Sequence, residues 1–182
     1  PEPGPGEVRV RISFSGVNPT DWKSRSRGDV AGAFQVPNQD GSGVIDAVGD
    51  GVEAARVGER VWIYFAEWQR QWGTAAEYSV VPAACAVPLP DNASFELGAS
   101  IGIPAMTAHR CLFADGPVTG ATVLVAGGAG AVGHHAIELA RWGGAERVIA
   151  TVSGHEKAER ARTAGAHHAV KYRTQEPAAR HP

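Results

Sequence analysis

Three glycines at three-residue spacing give this sequence its clearest chemical signal. Gly127, Gly130 and Gly133 follow an apolar run at residues 123–126 and precede a helical pattern. A strand, a glycine-rich turn and a helix together place backbone N–H groups at a helix N-terminus, where they can bind a phosphate. Glycine suits such a loop because the turn can require a positive φ and because a side chain would keep the phosphates away from the backbone. A plain tight turn is the alternative, and the motif alone does not decide between the two.

The residues after the second predicted strand bear on which nucleotide the loop would bind. An NAD site usually has a carboxylate about 20 residues beyond the glycines, which accepts from the ribose 2′-hydroxyl. Ser153 stands at that distance from Gly133, and Lys157 and Tyr172 follow it. A hydroxyl, a cation and a phenol can surround a 2′-phosphate, whereas a carboxylate would repel it, so the sequence favours NADP(H). The alternative is that Lys157 is a solvated helix residue and Tyr172 an aromatic residue of an edge strand.

Alternating strand and helix patterns would have to position these residues. Strands are predicted at residues 123–126 and 148–152 and from residue 169, with helical patterns between them. This order is typical of parallel βαβ units with right-handed crossovers. A further helix is predicted to open at Ser94, and residues 103–112 also have a helical pattern. The helix after the glycines is expected to bury one face, formed by Val132, Ala136, Leu139 and Ala140.

The first half of the chain has a different pattern, of short strands and tight turns. Val8, Val10, Ile12 and Phe14 alternate with polar residues, which predicts a half-buried strand. Further strands are expected at residues 44–48 and 75–81, and another follows a turn within residues 56–62 and runs on through Ile63 and Tyr64. Residues 82–90 are predicted to be irregular. Such a pattern favours a small barrel-like β domain. We therefore predict one domain at residues 1–95 and a second at 96–182.

Composition excludes several other classes of function. A formal net charge of −2 gives no reason to expect nucleic acid or an anionic membrane surface as a partner. No apolar run approaches the roughly 20 residues of a membrane span. The two cysteines, Cys85 and Cys111, are far apart in the sequence, which favours a reduced, cytoplasmic protein and argues against a structural zinc site.

Several motifs occur in an order that resembles one known family. They are G-G-A-G-A-V-G at residues 127–133, V-I-A-T-V-S-G-H-E-K at 148–157, G-A-H-H-A-V-K-Y-R-T at 165–174, and earlier segments at 3–22, 37–45, 57–62 and 73–78. Together they resemble the quinone oxidoreductase (zeta-crystallin-like) branch of the medium-chain dehydrogenase/reductase superfamily. The resemblance covers residues 3 to about 175. It implies an α/β plus β fold, in which a GroES-like β-barrel domain precedes a partial Rossmann domain.

The resemblance also implies roles for individual residues. The pyrophosphate is expected to lie against Gly127, Gly130 and Gly133 and the backbone of Ala131 and Val132. The residues expected around the 2′-phosphate are Ser153, Lys157 and Tyr172. Thr107 is expected near the nicotinamide. The residues expected in the cleft where the substrate enters are Asn18, Asp21 and Trp22. For Asn18 and Asp21 the simpler alternative is a turn cap before a short helix.

The zinc ligands of the family's alcohol dehydrogenases have no counterpart in this sequence. Those members place a Cys in the loop after the early strand and a His-Glu pair in the segment that matches residues 37–43. Here these segments read G-V-N-P-T-D and N-Q-D-G-S-G, so neither offers a thiolate or an imidazole. His134 and His135 are adjacent on a predicted helix and are expected to point to different faces. A zinc-independent protein is therefore predicted.

The function that follows is hydride transfer from NADPH to a quinone or an activated alkene, with Asn18 donating a hydrogen bond to the acceptor oxygen. An enoyl-thioester reductase is one alternative, and a non-catalytic NADPH-binding protein is another. Relative to the family the sequence is predicted to be truncated at both ends. The strands that the family places before Pro3 and the later strands of its Rossmann sheet are expected to lie outside this sequence. A homodimer is expected only for a full-length chain.

Overall fold

The computed structural model describes residues 1–28, 30 and 33–174 and divides the chain into two compact units. The first unit is Pro1–Ile103 and the second is Pro104–Pro182. The division falls inside one long helix, so each unit contains part of that helix. Each unit has its own sheet and its own apolar core.

The first unit is built on an antiparallel sheet of five strands. The strands lie in the order β4-β1-β2-β3-β5, so that the two longest strands are neighbours. Their bounds are β1 Glu7–Gly16, β2 Asp40–Val48, β3 Arg60–Ile63, β4 Tyr78–Pro82 and β5 Ala86–Pro88. This sheet confirms the predicted β domain, a GroES-like half-barrel.

Two local predictions for this sheet were wrong. Phe14 was expected on the buried face of β1, but it is 43% exposed, because the pairing of β1 with β2 shifts register between Ile12 and Phe14. Residues 82–90 were predicted to be irregular, yet Ala86–Pro88 pairs with β3 at the edge of the sheet. Three residues are too few to show an alternating pattern. Pro88 is tolerated because an edge strand leaves one row of N–H groups unpaired.

Two helices belong wholly or partly to the first unit. Helix α1 runs over Pro19–Arg27, and its proline occupies the first turn, where no N–H is needed. Helix α2 runs over Phe95–Phe113 and joins two helical stretches that were predicted to be separate. The Ser94 hydroxyl oxygen accepts from the Leu97 N–H at 3.2 Å, as expected of a helix start. Pro104 lies inside α2, and the helix continues through it.

The second unit contains the predicted strand and helix alternation. Three parallel strands lie in the order β6-β7-β8, with a helix in each connection. The elements are β6 Thr122–Val125, α3 Ala131–Trp142, β7 Arg147–Val152, α4 His155–Thr163 and β8 His168–Lys171. The βαβ prediction is confirmed, and this sheet is the Rossmann-like part of the fold.

The cores of the two units differ in composition. The first core consists mainly of valine and isoleucine, such as Val10, Ile45 and Ile63. The second core, as the structure describes it, has thirteen buried residues, and nine of them are alanine. Such small side chains let the helices pack closely on the sheet.

The buried face of α3 is rotated by about one residue position from the predicted face. Gly133, Ala136, Ile137 and Ala140 are buried, as expected for two of the four predicted positions. Val132 is 39% exposed and Leu139 is half-buried. Gly133 rather than Val132 lies against the preceding loop, which turns Val132 outward. Among the residues described, no helix is long and apolar enough to cross a membrane.

Candidate functional site

The glycine-rich loop between β6 and α3 is folded by its own backbone. The Gly130 N–H donates to the Gly127 carbonyl oxygen at 2.8 Å, and the Gly128 N–H donates to the Thr151 carbonyl oxygen at 3.0 Å. Gly127 has a φ of 67°, which favours glycine. A Cβ on Gly133 would lie 2.3 Å from the Gly127 carbonyl oxygen, so any side chain there would push the loop off the helix. The sequence therefore specifies this loop through backbone conformation and close approach.

The first backbone N–H groups of α3 take no part in the hydrogen bonds that fold the loop. The first bond of the helix runs from the His134 N–H to the Gly130 carbonyl oxygen at 2.8 Å. The N–H groups of Ala131, Val132 and Gly133 precede this bond, so the helix offers them no carbonyl acceptor. Ala131 and Val132 are exposed, and the N-terminal capping residue is Gly130, which has no side chain to cover them. Such a helix start fits the diphosphate of a dinucleotide.

The residues predicted to surround a 2′-phosphate lie at the carboxyl ends of the next two strands. Ser153 directly follows β7 and is half-buried, and Lys157 is the third residue of α4 and exposed. The Tyr172 N–H donates to the Val152 carbonyl oxygen at 3.1 Å, which brings the ends of β7 and β8 together. The Tyr172 side chain is 52% exposed. The structure thus brings Ser153 and Tyr172 to one edge of the sheet, and their roles stay predictions.

Thr107 lies on an exposed position of α2 in the second unit. Its predicted place near a nicotinamide also stays a prediction.

Asn18 and Asp21 form the start of α1. Asn18 is the capping residue with an extended backbone, and its N–H donates to Asp21 Oδ2 at 2.6 Å. This is the arrangement in which the third helical residue reaches back to the cap. Both residues are buried, at 6% and 4% exposed, whereas Trp22 is 60% exposed beside the Lys23 ammonium. The structure therefore shows the helix-capping role for Asp21 and leaves the substrate-contacting role of all three residues as a prediction.

Asn18 also contacts a buried carboxyl group that the sequence analysis did not select. Its side-chain Nδ2 donates to Asp40 Oδ2 at 2.7 Å, and the Ile103 N–H donates to the same oxygen at 2.7 Å. Asp40 is only 1% exposed. Burial raises the pKa of Asp40 to about 6, the two donated hydrogen bonds act against that rise, and the nearby Asp21 adds to it.

We call Asn18, Asp21, Gln39, Asp40 and Glu67 the buried polar cluster of the first unit. Burial raises the pKa of Asp21, against hydrogen bonds from the N–H groups of Asn18 and Gln39. Burial likewise raises the pKa of Glu67, with a further contribution from Asp21. Glu67 Oε1 accepts from Gln35 Nε2 at 2.9 Å. The cluster thus concentrates three carboxyl groups in a buried region.

Four oxygen atoms of this cluster are buried without a hydrogen-bond donor among the residues the structure describes. They are Asp21 Oδ1, Gln39 Oε1, Asp40 Oδ1 and Glu67 Oε2. Sequence reasoning missed Gln39, Asp40 and Glu67 as members of a site. The one available signal was an acidic residue placed directly before G-S-G at the start of an apolar strand.

The side chains of His134 and His135 on α3 were predicted to point to different faces of the helix, but both approach Glu138. His134 Nε2 lies 3.4 Å from Glu138 Oε1, and His135 Nδ1 lies 3.1 Å from Glu138 Oε2. Positions three and four residues before Glu138 both reach it across one turn, so adjacency did not keep the rings apart. Within residues 1–28, 30 and 33–174, no group of three or more His, Cys, Asp or Glu residues is arranged to hold a metal ion.

Two protein-family models match this chain. The alcohol dehydrogenase GroES-like domain matches residues 4–91, and the zinc-binding dehydrogenase model matches residues 131–181. The two matches fall in the first and second units respectively.

Known proteins with similar sequences and structures include reductases of more than one type. A trans-enoyl reductase of Gibberella fujikuroi is 35% identical over 153 residues, which is 78% of this chain and 44% of that protein. The quinone oxidoreductase of Mus musculus is 33% identical over 175 residues, which is 92% of this chain and 50% of that protein. The Escherichia coli quinone oxidoreductase in complex with NADPH superposes with a TM-score of 0.80 at 27% identity, covering 97% of this chain and 53% of that one. The chain therefore spans about half the length of the curated relatives it matches.

Proposed function

We propose a function from one premise: this chain belongs to the medium-chain dehydrogenase/reductase superfamily and is one of its quinone oxidoreductase-like members. The proposed activity is NADPH-dependent reduction of a quinone or an activated alkene. The relatives named above include a quinone oxidoreductase and an enoyl reductase, and one structural neighbour holds NADPH. These likenesses support the proposal, and the observation that carries it is the glycine loop followed by a helix start whose first N–H groups have no acceptor inside the helix.

The second unit supplies the residues that would hold NADPH. The N–H groups of Ala131, Val132 and Gly133 would bind the diphosphate, and the loop of Gly127 and Gly130 would leave it room. Ser153, Lys157 and Tyr172 would bind the 2′-phosphate from the carboxyl ends of β7 and β8 and the first turn of α4. The bound nucleotide would supply a hydride at its nicotinamide, near Thr107.

The first unit supplies the residues proposed to contact the acceptor, namely Asn18, Asp21 and Trp22. One N–H of the Asn18 amide donates to Asp40, which leaves the second N–H of that amide for an acceptor oxygen. Quinones and enones are already electron-poor, so positioning and exclusion of water would suffice without a Lewis acid. We therefore keep zinc independence as part of the proposal, and water as the proton source.

The remaining parts of the proposal concern organisation. We propose a catalytic domain at residues 1–95 and a nucleotide-binding domain from residue 96 onward. We also propose a cytoplasmic location and a small-molecule substrate, and a homodimer for the full-length chain.

Reduction of an enoyl thioester is the second candidate. The similarity to a trans-enoyl reductase favours it, because both acceptors take hydride at an activated C=C bond. No acidic or basic residue described above distinguishes the two acceptors, so the substrate has to be found by assay.

The test starts with nucleotide binding by this chain, measured by calorimetry with NADPH and, as the control, with NADH. Binding of NADPH in preference to NADH is expected, and binding of neither nucleotide would overturn the proposal. NADPH oxidation is then followed with a 1,4-quinone, a 1,2-quinone, an enone and an enoyl-CoA. Turnover of a quinone or enone supports the first candidate, and turnover of the thioester alone supports the second. Binding without any turnover supports a non-catalytic NADPH-binding protein.

A further inference from the structure

A single carboxylate oxygen joins the start of α1 to the middle of α2 within the first unit. Asp40 Oδ2 accepts from Asn18 Nδ2 and from the Ile103 N–H, each at 2.7 Å. Asp40 itself is the first residue of β2, and its own carbonyl oxygen accepts from the Thr74 hydroxyl at 2.6 Å. The main chain of Asp40 is therefore fixed by Thr74, and its side chain in turn binds α1 and α2.

The chain makes room for this carboxyl group by having glycine on α2. A Cβ on Gly102 would lie 2.3 Å from Asp40 Oδ1 and 2.5 Å from Asp40 Cγ. Glycine inside a helix costs up to about 1 kcal/mol relative to alanine, so its presence here needs a compensating contact. Pro104 follows two residues later and has no N–H for the Ser100 carbonyl, which weakens α2 near Asp40. The Asp40 carboxylate thus supports the helix at a weak point.

The geometry points to Asp40 as a positioning residue, whose Oδ2 fixes the side-chain amide of Asn18 together with helix α2. Asp40 is 1% exposed and its Oδ2 already accepts hydrogen bonds from Asn18 and Ile103, so it acts through Asn18. This inference rests on the proposed function only for the role of Asn18 toward an acceptor. The positioning itself is a property of the first unit and can be measured without any nucleotide.

The charge of Asp40 sets how firmly Asn18 is held. Oδ2 already accepts two hydrogen bonds, so an added proton goes to Oδ1, which has no donor or acceptor partner among the described residues. A hydrogen bond to an ionised carboxylate is roughly twice as strong as one to a neutral group, so protonation loosens both bonds. The charged or titratable groups on neighbouring elements are Asp21 on α1 and Glu67 in the loop after β3. Asp21, when it is ionised, raises the pKa of Asp40, and it raises the pKa of Glu67 in the same way.

The test follows two nuclear magnetic resonance signals of this 182-residue chain as the pH changes: the side-chain amide of Asn18 and the backbone N–H of Ile103. Both are expected to shift together with one midpoint near pH 6, since both donate to the same oxygen. Asp40→Asn should abolish both shifts and leave the rest of the spectrum dispersed. Asp46→Asn, a change on the same strand in a carboxylate paired with Arg9, should preserve them.

Other outcomes would overturn the inference. Two signals that do not titrate in a folded wild-type chain would contradict it, and so would different midpoints. Shifts that persist in Asp40→Asn but vanish in Asp21→Asn would assign the titration to Asp21 instead. The wild-type titration decides the question even if the Asp40 variant fails to fold.

A kinetic readout separates this inference from the proposed function. In a protein that turns over NADPH, Asp40→Asn is expected to lower kcat about tenfold above pH 7, with KM for NADPH unchanged, because the Asn18 amide loses its charged partner. It should also remove the pH dependence of kcat near pH 6. Absence of NADPH turnover by the wild type would count against the proposed function and leave the titration result standing.

Discussion

In the first unit the candidate residues Asn18 and Asp21 are buried and hydrogen-bonded, whereas in the second unit Lys157, in the first turn of α4, and Tyr172, directly after β8, are exposed. The hydrogen-bond partners of Asn18 and Asp21 all lie within the first unit, and burial raises the pKa of Asp21 and Asp40. The second unit leaves the backbone donors at the start of α3 without a carbonyl acceptor inside the helix. The difference teaches that a buried polar group can act on a ligand only through a donor that its internal partners leave over, such as the second N–H of the Asn18 amide, whereas the exposed polar groups of the second unit are available directly.

The largest effect we expect concerns the charge buried in the first unit. The pKa of Asp40 is about 6 in the folded chain against 3.8 for the free group, so the folded chain favours the protonated carboxyl group. The resulting contribution to the free energy of unfolding is complete below pH 4 and is lost as the pH rises through 6. That contribution corresponds to roughly 3 kcal/mol. In Asp40→Asn the free energy of unfolding, measured with urea, should lose most of this pH dependence.

Asp46→Asn is the matched control, because its carboxylate lies on the same strand and is paired with Arg9 near the surface. It should keep the slope between pH 4 and pH 6. If the free energy of unfolding of the wild type rose between pH 4 and pH 6, the raised pKa of Asp40 would be contradicted. Asp21 and Glu67 act with the same sign, so a smaller slope should remain in Asp40→Asn.

The next effect tests whether the second unit depends on close backbone approach. In Gly133→Ala the new Cβ would lie 2.3 Å from the Gly127 carbonyl oxygen, so the loop has to move. We expect a loss of about 2 kcal/mol, or roughly thirtyfold, in NADPH affinity measured by calorimetry. Gly130→Ala, whose Cβ would lie 3.3 Å from the same oxygen, should cost less. Equal losses in the two variants would show that space in the loop is not what matters.

A smaller effect is expected from the exposed side chains of the second unit. Lys157→Ala should weaken NADPH binding about tenfold, since it would remove the proposed charge-assisted contact with the 2′-phosphate, and should leave NADH binding unchanged. Arg160→Ala on the same helix is the control, because Arg160 is engaged with Glu156 at 2.6 Å. A parallel loss of NADH affinity in Lys157→Ala would place Lys157 away from the 2′-phosphate.

The smallest effect compares two ion pairs. Glu156→Gln breaks the exposed pair with Arg160 and should change the free energy of unfolding by less than about 0.5 kcal/mol. Asp46→Asn breaks a pair in which both Arg9 and Asp46 are about one-quarter exposed and joined by two hydrogen bonds. It should cost about 1 kcal/mol. If thermal unfolding showed a larger loss of stability for Glu156→Gln than for Asp46→Asn, partial burial would not be what makes the ion pair of the first unit stronger.

The elements that could be predicted from the sequence are those with a local signal. The βαβ units carried apolar runs and glycine turns, and the alternation of β1 showed in Val8 and Val10. The strand β5 could not be predicted, because its pairing with β3 depends on a distant segment and its own three residues carry no pattern. Helix α2 was predicted as two separate stretches, whereas in the structure it is continuous and contains Pro104.

The candidate site was predictable to a similar degree. Gly127, Gly130 and Gly133 could be proposed from the sequence because their predicted role depends on a short local motif, and the structure shows the loop that this motif forms. Asp40 and Glu67 were missed because their burial depends on packing between segments far apart in the chain, such as Asp40 with Ile103. Asn18 was identified as a site residue, but its amide partner could be known only from the fold.

The alanine-rich core of the second unit has a consequence for how this sequence can change over generations. A methyl side chain leaves little to lose on truncation, so replacement by glycine or serine costs less than the loss of a valine or leucine would. Enlargement is the harmful direction, because residues such as Ala140 and Ala161 have no exposed surface into which an added carbon could move. We therefore expect deep mutational scanning to find these positions tolerant of the smallest residues and closed to nearly all others. Variation in this unit should accumulate instead at exposed positions such as Lys157 and Tyr172, where nucleotide preference would be decided.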